Sequence, residues 1–476
     1  MKKPIIIGAA LGAAFVLASP LITSHYGQSQ LTEMAASIDA LPFYSVSVEH
    51  KSKGYLSSQS EVTFAIDFSE FAAQQNLDAA DFEAIPLSVT INVEMTHGLV
   101  LLGDNPGIGL LNWKSELADN ELRDVLTWQD DQSFWVQNGR VSLFGDVSLE
   151  EIIQPFTFTH TEFGDEFELK FSGLKGSGTY IDEKLEYSAM IESVAAGDGE
   201  LDLSMQTFAV NAESTGSITS MLEGNMTPSE MIVKIASITA NTSAEEQVFS
   251  SDNVAMQVAT TIDEAKSLAH VNLGYSIEVL NVVDYAISNF DIKMAFNNID
   301  VKFIEAYNEL TRSAISLPPE EFSEQAMAFF EEESLSLFQA EPEFEIQSFQ
   351  AELPEGKFTA NAVASLKGIE ALPTDVNDQN FWLQHAYMDA TVNVDAVLAN
   401  ALAIQYMTSQ ISADPQAAEL TPEQISEIAA QQAPQVLDMF AQQGLIVLDG
   451  EQYTGHVHME EGVLKLNGNE IPLPVN

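Results

Sequence analysis

The feature that most constrains this chain is a period of two. Leu87, Val89, Ile91, Val93 and Met95 alternate with Ser, Thr, Asn and Glu, and Val62, Phe64 and Ile66 and then Leu201, Leu203 and Met205 obey the same rule. The longest stretch is Val271, Leu273, Tyr275, Ile277 and Val279, followed by Phe290, Ile292, Met294 and Phe296. Successive side chains on a strand point to opposite faces, so each segment carries one apolar and one polar face. Antiparallel sheets with one wet side have this pattern, whereas the parallel sheets of doubly wound enzymes show continuous apolar runs. The pattern argues against a doubly wound enzyme.

Helical spacing clusters late in the chain. Residues 300–313 place Val301, Ile304, Tyr307 and Leu310 on one side, Pro318-Pro319 interrupts, and residues 320–338 carry Phe322, Ala326, Phe329 and Phe330 at helical intervals. Strands at 344–346 and 358–366 follow, joined at Pro354-Glu355-Gly356. The layout then recurs: helices over 395–412 and 421–443, the second with Pro434 expected to kink it, and strands at 445–448, 452–459 and 463–466. Residues 300–367 and 395–472 thus have the look of two copies of one helix–helix–strand–hairpin unit. A short helix over 28–40 precedes the first hairpin, 43–49 and 55–66.

At the N-terminus Lys2 and Lys3 precede an uncharged run from Ile5 to Ile22, 18 residues. As a helix this run is about 27 Å long, enough to cross a bilayer core. The basic pair predicts an N-in, C-out orientation. A cleaved signal peptide is the competing reading, with Ala18 and Ser19 as small residues for cleavage; the length of the run and the position of Pro20 favour retention. The expected fold is therefore α+β: an N-terminal transmembrane helix, an extended and mostly antiparallel β-sheet region, and two helical pairs packed on it in the C-terminal third. The corresponding divisions are 1–24 for the cytoplasmic tip and anchor, 25–299 for a β-rich periplasmic region, 300–394 for one helix-pair and hairpin unit, and 395–476 for the second.

Charge narrows the function. The chain has 71 Asp and Glu against 18 Lys and Arg, a net −53, so nucleic-acid binding, which depends on Lys and Arg neutralising phosphates, is excluded. Hydrophobic residues make up 46%, unlike a disordered chain. With no cysteine there are no disulfides, thiol chemistry or iron–sulfur clusters. The surplus acids read as solvated faces suited to a salty compartment, where screening limits their repulsion.

Motifs for chemistry are sparse. His97-Gly98 sits at a strand end, either presenting an imidazole beside a close-approach glycine or forming a local turn. His456-x-His458-x-Glu460 has metal-like spacing, since residues two apart on a strand share a face, and reads equally as the wet face of a hairpin ending at Glu461-Gly462. No Gly-x-Ser-x-Gly or Gly-Lys-Ser/Thr occurs; Gly176-Ser177-Gly178 and Gly107-x-Gly109 lack the required spacing. Asp130-Asp131 and Asp198-Gly199-Glu200 lack the staggered oxygens of a calcium loop. Trp113, Trp128 and Trp135 gather in one region, with Trp382 apart, as a satellite core or an aromatic platform.

Lys53-Gly54-Tyr55-Leu56-Ser57-Ser58-Gln59, Thr96-His97-Gly98, Phe303-Ile304-Glu305-Ala306-Tyr307, and Tyr453-Thr454-Gly455 through Leu464-Lys465-Leu466-Asn467-Gly468 occur in that order behind the apolar N-terminus. Together they resemble the YdgA-like family of bacterial envelope proteins and, more distantly, AsmA-type proteins, whose long sheets form lipid-handling grooves. The resemblance implies an inner-membrane anchor and a β-rich periplasmic region, and supplies no catalytic residues. The expected function is a non-enzymatic, membrane-anchored periplasmic scaffold or assembly factor. The alternative is an AsmA-like groove for lipid or another hydrophobe. A lesser alternative, a hydrolase, requires His97 or His456 to meet a carboxylate and a hydroxyl in one pocket. No cofactor is implied, and the expected partners are the inner membrane, through the N-terminal helix, and a lipid or another envelope protein.

Overall fold

The computed structural model describes residues 23–473 except 40–43, 67–87, 103–104, 119–121, 125, 163–164, 223–224, 245, 284, 315–316, 318 and 414–419. The chain divides into two compact units: Met1–Ile235 with Asn241–Glu245 and Ile304–Phe330, and Ala236–Ala240 with Glu246–Phe303 and Glu331–Asn476.

The first unit opens with helix α1, residues 23–39. Its strands are β1 (Tyr44–Lys53), β2 (Ser57–Ile66), β3 (Ser88–His97), the two-residue β4 (Val100–Leu101) and β5 (Gly107–Ile108), β6 (Leu111–Leu117), β7 (Leu126–Thr127), β8 (Trp135–Val141) and β9 (Val147–Ile153). They continue with β10 (Phe156–Glu162), β11 (Asp165–Phe171), β12 (Leu174–Ile181), β13 (Lys184–Gly197) and β14 (Leu201–Thr215); β15 (Ser229–Thr242) follows in the chain. Hydrogen-bonded neighbours run β1–β2–β3–β6–β8–β9–β12–β13–β14, every pair antiparallel. The β10–β11 hairpin branches off and pairs with the end of β13.

Helix α1 is amphipathic. Gly27, Leu31, Ala35 and Ile38 form a stripe at helical spacing, and Ala35 joins Val46, Val62, Val93, Met95, Leu111 and Val141 in the buried core of this unit. Gln30, Thr32 and Glu33 face solvent.

This corrects the expectation of a transmembrane helix and, with it, of a single-pass inner-membrane location. Among the described residues no helix is long and apolar enough to cross a membrane. The apolar run 5–22 lies outside the described residues, and α1 spends its apolar stripe on the sheet. The short helix expected over 28–40 is this same element, beginning earlier at residue 23.

The second unit is a meander. β16 (Gln247–Asp263), β17 (Leu268–Val282), β18 (Tyr285–Asp300), β19 (Glu343–Leu353), β20 (Gly356–Leu366) and β21 (Ala386–Asp395) pair antiparallel in chain order. β22 (Val447–Asp449), β23 (Gln452–Glu460), β24 (Val463–Leu466) and β25 (Asn469–Ile471) complete it, with β23 beside β21. Helices α2 (Val301–Ala314) and α3 (Pro319–Gln339) lie between β18 and β19 where the sequence placed them, with Ile304–Phe330 of this stretch belonging to the first unit. Helix α4 (Gln379–His385), unexpected from the sequence, precedes β21, and α5 (Ala396–Ala413) and α6 (Pro422–Gln442) follow it as expected.

Local chemistry explains the helix boundaries. Thr421 and Gln424 form a reciprocal capping box at the start of α6, and Pro319 with Glu320 and Glu321 opens α3. Helix α5 packs on β20, β21 and β23 and on α6, burying Leu398 to 1% exposure. A hairpin follows each helix pair in the chain.

Candidate functional site

In the second unit the register aligns apolar residues across eight strands. One row runs Val258, Leu273, Met294, Ile346, Ala362, Ala390, Val457 and Leu466, each opposite the next. A second runs Met256, Tyr275, Ile292, Phe349, Ala360 and Val392 and ends at Gly455. A third includes Val271, Phe296, Phe344, Ala364, Met388, Met459 and Leu464. Eight strands at about 4.8 Å spacing make this face roughly 34 Å wide across the strands. Edge-to-face contacts link its aromatic members: Tyr275–Phe290 and Phe290–Phe349 at 5.9 Å, and Phe349–Phe358 at 4.8 Å.

The alternation alone does not carry Phe349 to this face. Ile346 and Phe349 are three residues apart, an odd interval that puts them on opposite sides of a regular strand. A bulge between them shifts the register against both β18 and β20 and returns Phe349 to the apolar side.

The face is open. Among the described residues the buried apolar residues of this unit are mostly alanines, Ala240, Ala269, Ala295, Ala351, Ala429 and Ala433, with Phe303, Ile369 and Leu398. On the face, Met256, Tyr275 and Phe296 remain 39% exposed and Val392 41%. At one end, Phe296, Ile299, Pro342, Phe344, Met388 and Met459 line a hollow of about 400 Å³.

The reverse face carries the residues with metal-like spacing. His456 and His458 share a side, as the strand geometry predicts, and both turn to Asp389 on β21: His456 Nε2 lies 3.1 Å and His458 Nδ1 3.0 Å from Asp389 Oδ2. Glu460 Oε2 lies 3.7 Å from the other nitrogen of His458. Partial burial pushes the Asp389 carboxyl up, but the hydrogen bonds from His458 and His456 prevail and hold it below the usual carboxylate range. Among the described residues no group of three or more His, Asp or Glu is arranged to hold a metal ion. Tyr387 extends the cluster, its ring edge-on to His458 at 5.9 Å and capped by Lys367 Nζ at 3.8 Å. Asp389 was missed in the sequence because its pairing with His458 depends on the β21–β23 register.

In the first unit His97 is fully buried, with Nε2 2.9 Å from Ser58 Oγ. Burial, and secondarily Lys53, pushes the imidazole down to about 4. His456 is on β23 in the other unit, so the structure gives each histidine its own neighbours. His50 Nδ1 likewise lies 2.9 Å from Ser60 Oγ, and both serine hydroxyls belong to buried residues.

The tryptophans separate. Trp128 packs in an aromatic chain, Trp128–Phe134–Phe156–Phe171, with Arg123 over its ring at 3.8 Å. Trp113 lies across Gly139, where an added Cβ would overlap the indole, and Trp135 turns its Nε1 toward Glu151. Asp198 closes a turn by accepting from the Glu200 and Leu201 amides at 2.9 Å, and Asp130 pairs with Arg123 at 3.3 Å.

Over residues 1–474 the chain matches the family model described as a bacterial protein of unknown function, DUF945. It belongs to that family. No curated protein and no solved structure matches it. The resemblance carried by Lys53–Gln59, His97-Gly98 and the C-terminal motif thus holds at the level of DUF945, a bacterial family described without an activity.

Proposed function

We propose that this DUF945 protein is a non-enzymatic binding protein whose second unit holds a neutral acyl chain against its apolar sheet face. The observation that supports this reading is the burial pattern: most of the sealed apolar residues are alanines, while Phe296, Tyr275, Met256 and Val392 on one face stay open to solvent. A scaffold that needed the sheet only for shape would leave that face covered, because exposed apolar area has a cost and no use. The three rows present few hydrogen-bonding side chains, only the Tyr275 hydroxyl within the second and Thr260, opposite Val271, at the end of the third. A peptide laid there would leave its own amides unpaired; a hydrocarbon has none to satisfy. Covering about 300 Å² of such surface is worth roughly 7 kcal/mol before the cost of association. The net charge of −53 disfavours an anionic head group and a second copy of the chain. Against enzyme chemistry, the Ser58–His97 pair is sealed from any substrate.

The test is titration with a fluorescent monoacylglycerol. Saturable binding is expected, weakened at least tenfold by Tyr275→Glu and by Val392→Glu, two positions open enough to accept a charge without unfolding, as circular dichroism would verify. Absence of binding, or binding by both variants as tight as that of the native chain, overturns the reading.

A further inference from the structure

The first unit holds a carboxylate where its own sheet is apolar. On β9, Val147, Leu149, Glu151 and Ile153 alternate with the exposed Ser148, Glu150 and Ile152, so Glu151 is half-buried on the inner side while its neighbour Glu150 faces water. Two donors reach it: Tyr187 Oη hydrogen-bonds Oε1, and Trp135 Nε1 lies 3.4 Å from Oε2. Room for this arrangement comes from Gly176 on the adjacent strand, where a Cβ would stand 2.7 Å from Tyr187 Oη and 2.8 Å from Glu151 Cγ. Among the described residues no Lys, Arg or His lies within ion-pair distance of Glu151. Two neutral donors fill part of the carboxylate's hydrogen-bonding capacity and leave its charge uncompensated.

A half-buried carboxylate without a cationic partner, bonded by an indole N–H and a phenol O–H, is chemistry that recognises an ammonium group by charge. We propose that Glu151, Tyr187 and Trp135 form a site for an alkylammonium, a cationic amine whose hydrocarbon body lies on the neighbouring Leu149 and Ile153. The site is separate from the acyl-binding face of the second unit and does not depend on it. Burial and the contact with Glu151 hold the Tyr187 phenol protonated well above its ordinary range, so it stays a donor at any physiological pH.

The experiment follows the Trp135 indole N–H resonance by NMR during titration with hexyltrimethylammonium, at about 0.15 M salt to screen the general field. A saturable shift is expected, with affinity at least tenfold weaker in Glu151→Gln and unchanged in Glu150→Gln, which removes the same charge from the opposite face. Hexanol, uncharged, should bind at least tenfold more weakly than the ammonium. The proposal is overturned if Glu150→Gln weakens binding as much as Glu151→Gln, if hexanol binds equally well, or if the Trp135 resonance does not move. Monoacylglycerol binding should be the same in Glu151→Gln and the native chain, so failure here is distinguishable from failure of the acyl-binding reading.

Discussion

His97 Nε2 and Ser58 Oγ are 2.9 Å apart with both residues sealed from water, so the imidazole is held neutral inside the first unit. Its value is depressed to about 4 from an ordinary 6.5. The unfolded chain therefore takes up a proton as pH falls through 6.5 while the native chain does not, and stability contributed by the neutral imidazole is lost between those values. The loss reaches about 3 kcal/mol near pH 4. Urea unfolding at several pH values should show His97→Gln less stable than the native chain at pH 7, with the gap closing as pH falls. A constant gap would refute the assignment.

Gly139 is the floor under the Trp113 ring. Gly139→Ala should cost about 1–3 kcal/mol from overpacking. Adding Trp113→Ala should recover part of that loss, a coupling read from a double-mutant cycle. Strict additivity would mean the overlap is relieved elsewhere.

Asp389 accepts from both His456 and His458. Its lowered carboxyl contributes stability that is present above the ordinary carboxylate value and lost as pH falls through the lowered one. Because the groups are partly exposed, Asp389→Asn should cost no more than about 1 kcal/mol at pH 7. The difference should vanish in acid, as chemical denaturation at pH 7 and in the acid range would show.

With 71 acids and 18 bases, repulsion outweighs the ion pairs, which among the described residues involve at least partly exposed groups, such as Lys51 with Glu49 and Glu61 or Lys184 with Glu186 and Glu213. Raising NaCl from about 0.02 to about 0.5 M should therefore raise the urea midpoint, since screening removes more repulsion than attraction. A falling midpoint would show that those pairs matter more than the excess charge.

The strands and late helices were legible because their periods are 2 and 3.6, and Pro318-Pro319 and Thr421 mark helix boundaries directly. The apolar rows were partly legible, since Val271–Val279 and Phe290–Phe296 already share a face by count. Phe349 was not, because the bulge after Ile346 breaks the count that would have found it. Glu151 was within reach: the alternation Val147, Leu149, Ile153 assigns it to the apolar side, but beside Glu150 it looked like one more acid in an acidic chain. The membrane helix was read from the run 5–22, which lies outside the described residues, and no described helix is long and apolar enough to cross a membrane. The short helix that follows was legible from the spacing of Gly27, Leu31, Ala35 and Ile38, but only the register of β1 to β8 shows what that stripe covers.

In the second unit strands β16 to β21 pair in the order in which they are made. A meander of that kind can gain or lose one hairpin without re-pairing any other strand, and each added strand widens the apolar face by about 4.8 Å. The width of the apolar face is then set by how many hairpins the gene encodes, a quantity that evolution can alter by duplication in steps of some thirty residues or fewer.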